Sequence, residues 1–211
     1  MTLVRCRHSD PMLGGVLPIT SEYAPAVDES TLLASVLTKT GNLIAEVNDD
    51  QWGLPTPCPE YDVRALVNHM IGWVRVFDAG CHGREFEGDP SAFRFGPDPA
   101  EEFRSASSSL AACWEEFGVD RQVRIMSGEM PGESVFNITV MEYLTHGWDL
   151  AISTGQEIPF SEEEAGETLA RAEQTLPPEY RGEGRAFGDI VEVSPNAPAT
   201  SRLAAFLGRQ P

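Results

Sequence analysis

The sequence predicts an all-α bundle. Four long segments carry apolar residues at helical spacing, the connections between them are rich in proline and glycine, and little of the chain alternates as a strand would. With 211 residues, 41% of them hydrophobic, the chain can bury one core without disulfide staples. Residues 1–28 show no period and include Pro11, Gly14, Gly15, Pro18 and Pro25, so they read as an N-terminal extension; residues 29–211 read as the bundle domain.

Helix one is expected from about Glu29 to Val47, with Leu33, Val36, Leu37, Thr40, Ile44 and Val47 on one stripe. Pro55, Pro57 and Pro59 then forbid helix and impose an extended connection. Helix two starts behind Asp62, a good N-cap, and carries Val63, Leu66, Val67, Met70, Ile71, Val74 and Phe77 on one face before running out near Gly80. Residues 83–97 form a long polar loop, of a length that compact bundles reserve for function or motion. Asp98 and Pro99, followed by Glu101 and Glu102, open helix three, which ends near Gly118. A short extended segment or a hairpin is expected across Gln122–Gly132, then helix four from about Ser134 to Ser153. Ser161 with Glu164 forms a capping box for a fifth helix that stops before Pro177, and Ser201–Leu207 reads as a short C-terminal helix closed by Gly208.

Charge narrows the partners. The formal net charge is −18 and Lys39 is the only lysine, which argues against nucleic acid and against an anionic membrane surface. No apolar run approaches the roughly 20 residues needed to span a bilayer, and the segment Met12–Ile19 is too broken to serve as an export signal. Cys6, Cys58, Cys81 and Cys113 have no paired spacing and read as free thiols in a reducing cytoplasm. The expected partner is a small-molecule substrate, and a homodimer is left open.

Chemistry concentrates on helix four. Glu142 and His146 are four residues apart and so lie on one helical face; with Glu142 at zero, His146 falls at about +40° and Asp149 at about −20°. The rest of the helix is apolar nearly all round, so this carboxylate and imidazole are buried and need a pair, a hydrogen bond or a metal. Among the other histidines, His8 sits in the extension. His69 and His82 are about 20 Å apart along helix two, so only one of them can join helix four. His69, at the edge of the apolar stripe between Leu66 and Trp73, is the better placed. Two imidazoles and a carboxylate suit a divalent transition metal with open positions; a salt bridge or a hydrogen-bonded core histidine is the alternative on spacing alone. Asp149 is a candidate to orient a ligand histidine or to act as a structural cap. Trp73, Tyr143 and Trp148 line the pocket or belong to the core. Arg64 and Arg75 face an anionic substrate or solvent, and Cys58 is a reactive thiol or a packed loop residue.

Two motifs and a tail carry a family resemblance. Thr56-Pro57-Cys58-Pro59-Glu60-Tyr61-Asp62-Val63-Arg64-Ala65-Leu66-Val67-Asn68-His69 resembles the T-P-C-x-W-x-V-x-x-L-x-x-H segment of the mycothiol-dependent maleylpyruvate isomerase-like branch of the DinB superfamily, with Tyr61 at the tryptophan position. Glu142-Tyr143-Leu144-Thr145-His146-Gly147-Trp148-Asp149-Leu150-Ala151, with Thr154-Gly155-Gln156, resembles that group's second motif, and Ala204-Ala205-Phe206-Leu207-Gly208-Arg209 resembles its C-terminal signature. The resemblance implies an up-and-down four-helix bundle with a metal, zinc first and nickel second, held by His69, Glu142 and His146. It implies further a cytoplasmic enzyme that activates a low-molecular-weight thiol, mycothiol or similar, for addition, isomerisation or transfer on a small electrophile. The alternative is a metal- or small-ligand-binding sensor or stress protein of the same fold, without turnover. The isomerase of that branch has a further C-terminal domain that contacts substrate. About 55 residues follow Thr154 here, too few for that domain, so activity on maleylpyruvate itself is not expected.

Overall fold

A computed structural model describes residues 28–126, 128–176, 178–182 and 187–211. All but the last residue of the expected extension lies outside them, as does Cys6. Among the described residues six α-helices follow in order: α1 Glu29–Ala45, α2 Val63–Cys81, α3 Pro99–Phe117, α4 Gly132–Thr154, α5 Glu162–Thr175 and α6 Ala199–Phe206. The antiparallel hairpin β1 Gln122–Ile125 and β2 Gly128–Pro131 joins α3 to α4, with Val123 opposite Met130.

Local chemistry sets the boundaries. The Asp28 carboxylate accepts from Thr31 N at 3.2 Å, Asp62 from Ala65 N at 2.7 Å and Asp98 from Glu101 N at 3.0 Å, each serving a backbone donor that the first turn leaves orphaned. Ser161 and Glu164 form the reciprocal capping box of α5. Helix four has no side-chain cap. It grows straight out of β2 and begins two residues earlier than its apolar pattern suggests, because Gly132 N donates to Arg121 O at 2.7 Å across the hairpin end.

Helix α3 packs on both α1 and α2, and α4 packs on the same two, so α1 and α2 occupy opposite corners, as do α3 and α4. The connection through Trp52 and Tyr61 therefore crosses an end of the bundle. Helices α5 and α6 pack on α4 and on each other, which shields α4 from the side the four-helix core leaves open. From Val135 to Ala151 only Glu142 escapes full burial, as its nearly all-round apolar sequence requires. The core closes around Phe103, Tyr143, Phe136, Leu66, Met70 and Ile71, all under 2% exposed.

Two features were not legible in the pattern. Inside the long loop, Pro90–Ala92 makes a turn of 3₁₀ helix that sits on α2 at Gly72, where a β-carbon would run into the Pro90 carbonyl. Cys81 and Cys113 are joined as a disulfide across α2 and α3, with Cα atoms 6.2 Å apart, and Cys58 is buried. The expectation of unpaired thiols thus fails for this pair, because only the docking of α3 on the end of α2 brings residues 32 positions apart into range.

Candidate metal centre

Helices α2 and α4 face each other at three side chains. His69, Glu142 and His146 each offer one ligand atom, and these atoms all lie within 4.8 Å of one another. His69 Nε2 is 2.5 Å from Glu142 Oε1, and His146 Nε2 is 3.2 Å from the same oxygen. The two imidazole rings stand edge to face, centroids 5.1 Å apart. Helical geometry accounts for the arrangement: Glu142 and His146 stack one turn apart on α4, while His69 looks sideways from the border of the α2 stripe.

Each imidazole is held from behind. His146 Nδ1 is 2.9 Å from Asp149 Oδ2, which also accepts from Arg209 Nη2 at 3.1 Å. Arg209, from the tail behind α6, is 7% exposed, and Asp149 is fully buried. His69 Nδ1 is 3.2 Å from the Tyr61 hydroxyl. Both Nδ1 atoms are thus engaged outward, which leaves both Nε2 atoms pointing at Glu142, the orientation a histidine ligand adopts when a second residue fixes its ring.

Charge favours a cation here. Burial pushes the Glu142 carboxyl up, but the charge and hydrogen bonds of His146 and His69 outweigh it and hold the group well below the usual carboxylate range. Burial likewise raises Asp149, and the Arg209 charge with the His146 hydrogen bond brings it below its ordinary value. Two ionised carboxylates therefore share one permanent cation, Arg209, and one negative charge is left over. His146 answers it: burial pulls the imidazole down, yet the Glu142 charge and the Asp149 hydrogen bond raise it to about 9. A proton and a divalent ion accordingly compete for the same Nε2 lone pair. The donor set of two nitrogens and one oxygen fits such an ion. Atoms that each lie about 2.0–2.2 Å from one centre are roughly 3–3.5 Å apart; the His146 Nε2 separation of 3.2 Å falls in that range and the His69 Nε2 separation of 2.5 Å is shorter.

The flanking residues divide. Trp73 is half-buried with its ring 6.3 Å from His69, beside the cluster. Tyr143 points into the core instead: its hydroxyl donates to Met70 O at 3.1 Å, and burial with the nearby Glu142 charge keeps it neutral. Trp148 is 2% exposed on the packed side of α4. His82 pairs with Asp78 at the far end of α2, and His8 lies outside the described residues. Cys58 is buried in the proline loop, and Arg75 stacks on Phe93 at 5.2 Å. A cleft of about 590 Å³ opens beside His69, lined by Tyr61, Arg64, Asn68, Ser91 and Arg94 among others. Sequence reasoning passed over Tyr61 and Arg209 as parts of the site. The signal for Arg209 was Asp149 itself, since a buried carboxylate on an apolar helix demands a cation.

Comparison with known proteins bears on the family and the fold. The family model described as the mycothiol maleylpyruvate isomerase N-terminal domain matches residues 33–151. Uncharacterised proteins from two strains of Mycobacterium tuberculosis are each 34% identical over 173 residues, covering 79% of this chain and 90% of their own. A histidine-to-alanine mutant of the mycothiol-dependent maleylpyruvate isomerase superposes with a TM-score of 0.52 at 15% identity, covering 67% of this chain and 66% of that one. The chain thus matches just under two-thirds of the isomerase, and the likeness speaks for the fold.

Proposed function

Since the chain belongs to the mycothiol maleylpyruvate isomerase N-terminal domain family, we propose that it is a divalent-metal-dependent enzyme using a low-molecular-weight thiol, mycothiol or similar, on a small electrophile. The observation that carries the reading is the cluster of His69, Glu142 and His146 with both imidazoles anchored behind. Zinc is the first choice of ion, on the mixed nitrogen and oxygen donor set. Such an ion, when bound, supplies Lewis acidity that lowers the pKa of a thiol or water.

The chain's own residues do the rest. His69 and His146 supply neutral Nε2 donors, Glu142 supplies the charge, and Asp149 with Arg209 keeps the His146 ring from turning. The low exposure of His146, 6%, keeps bulk water from one side, and the cleft beside His69 gives a thiol and a small acceptor room to approach from the other. Addition, isomerisation and thiol transfer all fit this arrangement.

The test is metal analysis of the purified protein followed by thiol-dependent turnover. About one equivalent of a divalent ion is expected, lost in His69→Ala and Glu142→Ala, together with mycothiol-dependent consumption of a member of an electrophile panel. Absence of metal in the unmodified protein after loading with zinc would sink the reading. Stoichiometric metal and tight ligand binding with no turnover would reassign the chain as a binding protein.

A further inference from the structure

The cleft beside His69 contains a cation that the metal cluster does not use. Arg64, in the first turn of α2, places its guanidinium carbon 5.2 Å from the Trp52 ring and 5.3 Å from the Phe95 ring. Those two rings are themselves in contact, centroids 5.1 Å apart. An arginine seated over aromatic faces is held in place by cation–π attraction while its N–H edges remain available for a ligand. Among the described residues no carboxylate forms a salt bridge with it, in a chain whose net charge is −18.

A second donor lies one turn further along. Asn68 is 8% exposed and lines the same cleft. Its Oδ1 accepts from Phe95 N at 2.9 Å, which commits the oxygen and leaves Nδ2 with no hydrogen-bond partner among the described residues. The surroundings favour a singly charged anion. Arg94 braces its own loop, donating to Ser91 O at 2.9 Å, and Asp62, which caps α2, puts a carboxylate in the lining. Glu60 adds an exposed negative charge to the lining, which disfavours a dianion such as phosphate.

We infer that this cleft binds the carboxylate of an elongated small molecule whose other end reaches His69, Glu142 and His146, with Arg64 as the carboxylate's ion-pair partner and Asn68 Nδ2 as a second donor. The inference rests on the function proposed above and names the class of ligand for that site. Arg64 and His69 are five residues apart on one helix, about 7.5 Å along its axis and about 140° around it, and both line the cleft, so the carboxylate and the reacting atom are separated by at least that axial distance.

The test uses four probes on the full chain. 6-Mercaptohexanoate and 6-mercaptohexanol are titrated into zinc-loaded protein, and hexanoate and hexanol into metal-free protein, with dissociation constants read by calorimetry. Each acid is expected to bind about tenfold more tightly than its alcohol, and R64Q is expected to abolish that preference. R64K, which keeps the charge without the two-pronged edge, is expected to lose about threefold and serves if R64Q does not fold. Equal binding of acid and alcohol, an acid preference that survives both substitutions, or displacement of hexanoate by inorganic phosphate more readily than by acetate overturns the carboxylate subsite. The two readings fail separately. If both thiols bind zinc-loaded protein but the acid has no advantage, the metal and thiol reading stands and the subsite falls. If an Arg64-dependent acid preference appears but zinc and a thiol add nothing, the subsite stands and the thiol reading falls.

Discussion

His146 and Arg209 never touch in the described contacts, yet both bond to Oδ2 of Asp149, at 2.9 and 3.1 Å. One fully buried carboxylate oxygen therefore ties a candidate metal ligand to the C-terminal tail. Replacing Asp149 by Asn leaves the shape but weakens the restraint on the His146 ring, and metal affinity is expected to fall about 10–100-fold. Competition with a chromophoric chelator measures it. Tyr61→Phe, which removes the His69 Nδ1 partner, should lower affinity in the same assay.

Arg209→Ala strands Asp149 without its permanent countercharge. A buried pair broken on one side typically costs about 3–5 kcal/mol, read as a lower denaturant midpoint. The double substitution Asp149→Asn with Arg209→Met should recover part of that loss, because no buried charge then remains unpaired.

The metal-free chain should change stability with pH in two directions. The His146 imidazole is raised to about 9 from an ordinary 6.5; its contribution is full below pH 6.5 and is lost as pH rises through about 9. Glu142 is lowered, so its contribution is present above pH 4.5 and is lost as pH falls through its folded value. Denaturation midpoints of chelator-treated protein from about pH 2 to about pH 10 check both limbs. Saturating zinc should flatten the alkaline limb, because metal binding removes the His146 proton; calorimetry in buffers of different ionisation enthalpy at pH 7.5 should register that release.

Gly72→Ala places a methyl group against the Pro90 carbonyl. The loop must lift from α2, at a cost of about 1–3 kcal/mol. Its turn neighbours Ser91 and Arg94 in the cleft lining, so hexanoate binding is expected to weaken as well.

Reduction of the Cys81–Cys113 bond, or its replacement by two serines, should cost about 3–4 kcal/mol from the entropy of the 32-residue loop it closes. Thiol titration of the denatured chain before and after reduction should find Cys81 and Cys113 silent before it and reactive after it.

The sequence by itself determined the helices and the chemistry of their faces. Asp62, Asp98 and Ser161 announce helix starts because capping is local, and the stripe of Val63, Leu66, Met70 and Val74 announces a buried face because its period is local too. Glu142, His146 and Asp149 share one helix, so their common face follows from 100° per residue. His69 could be chosen by elimination and family resemblance, but its 2.5 Å approach to Glu142 is a property of how α2 docks on α4. Tertiary structure alone decided the partners that come from afar: Arg209 behind Asp149, Cys113 against Cys81, and the Trp52 and Phe95 rings beneath Arg64. Each joins segments that no periodicity relates, because a buried charge, a thiol or an exposed guanidinium states what kind of neighbour it needs, and only the packed chain says which residue supplies it.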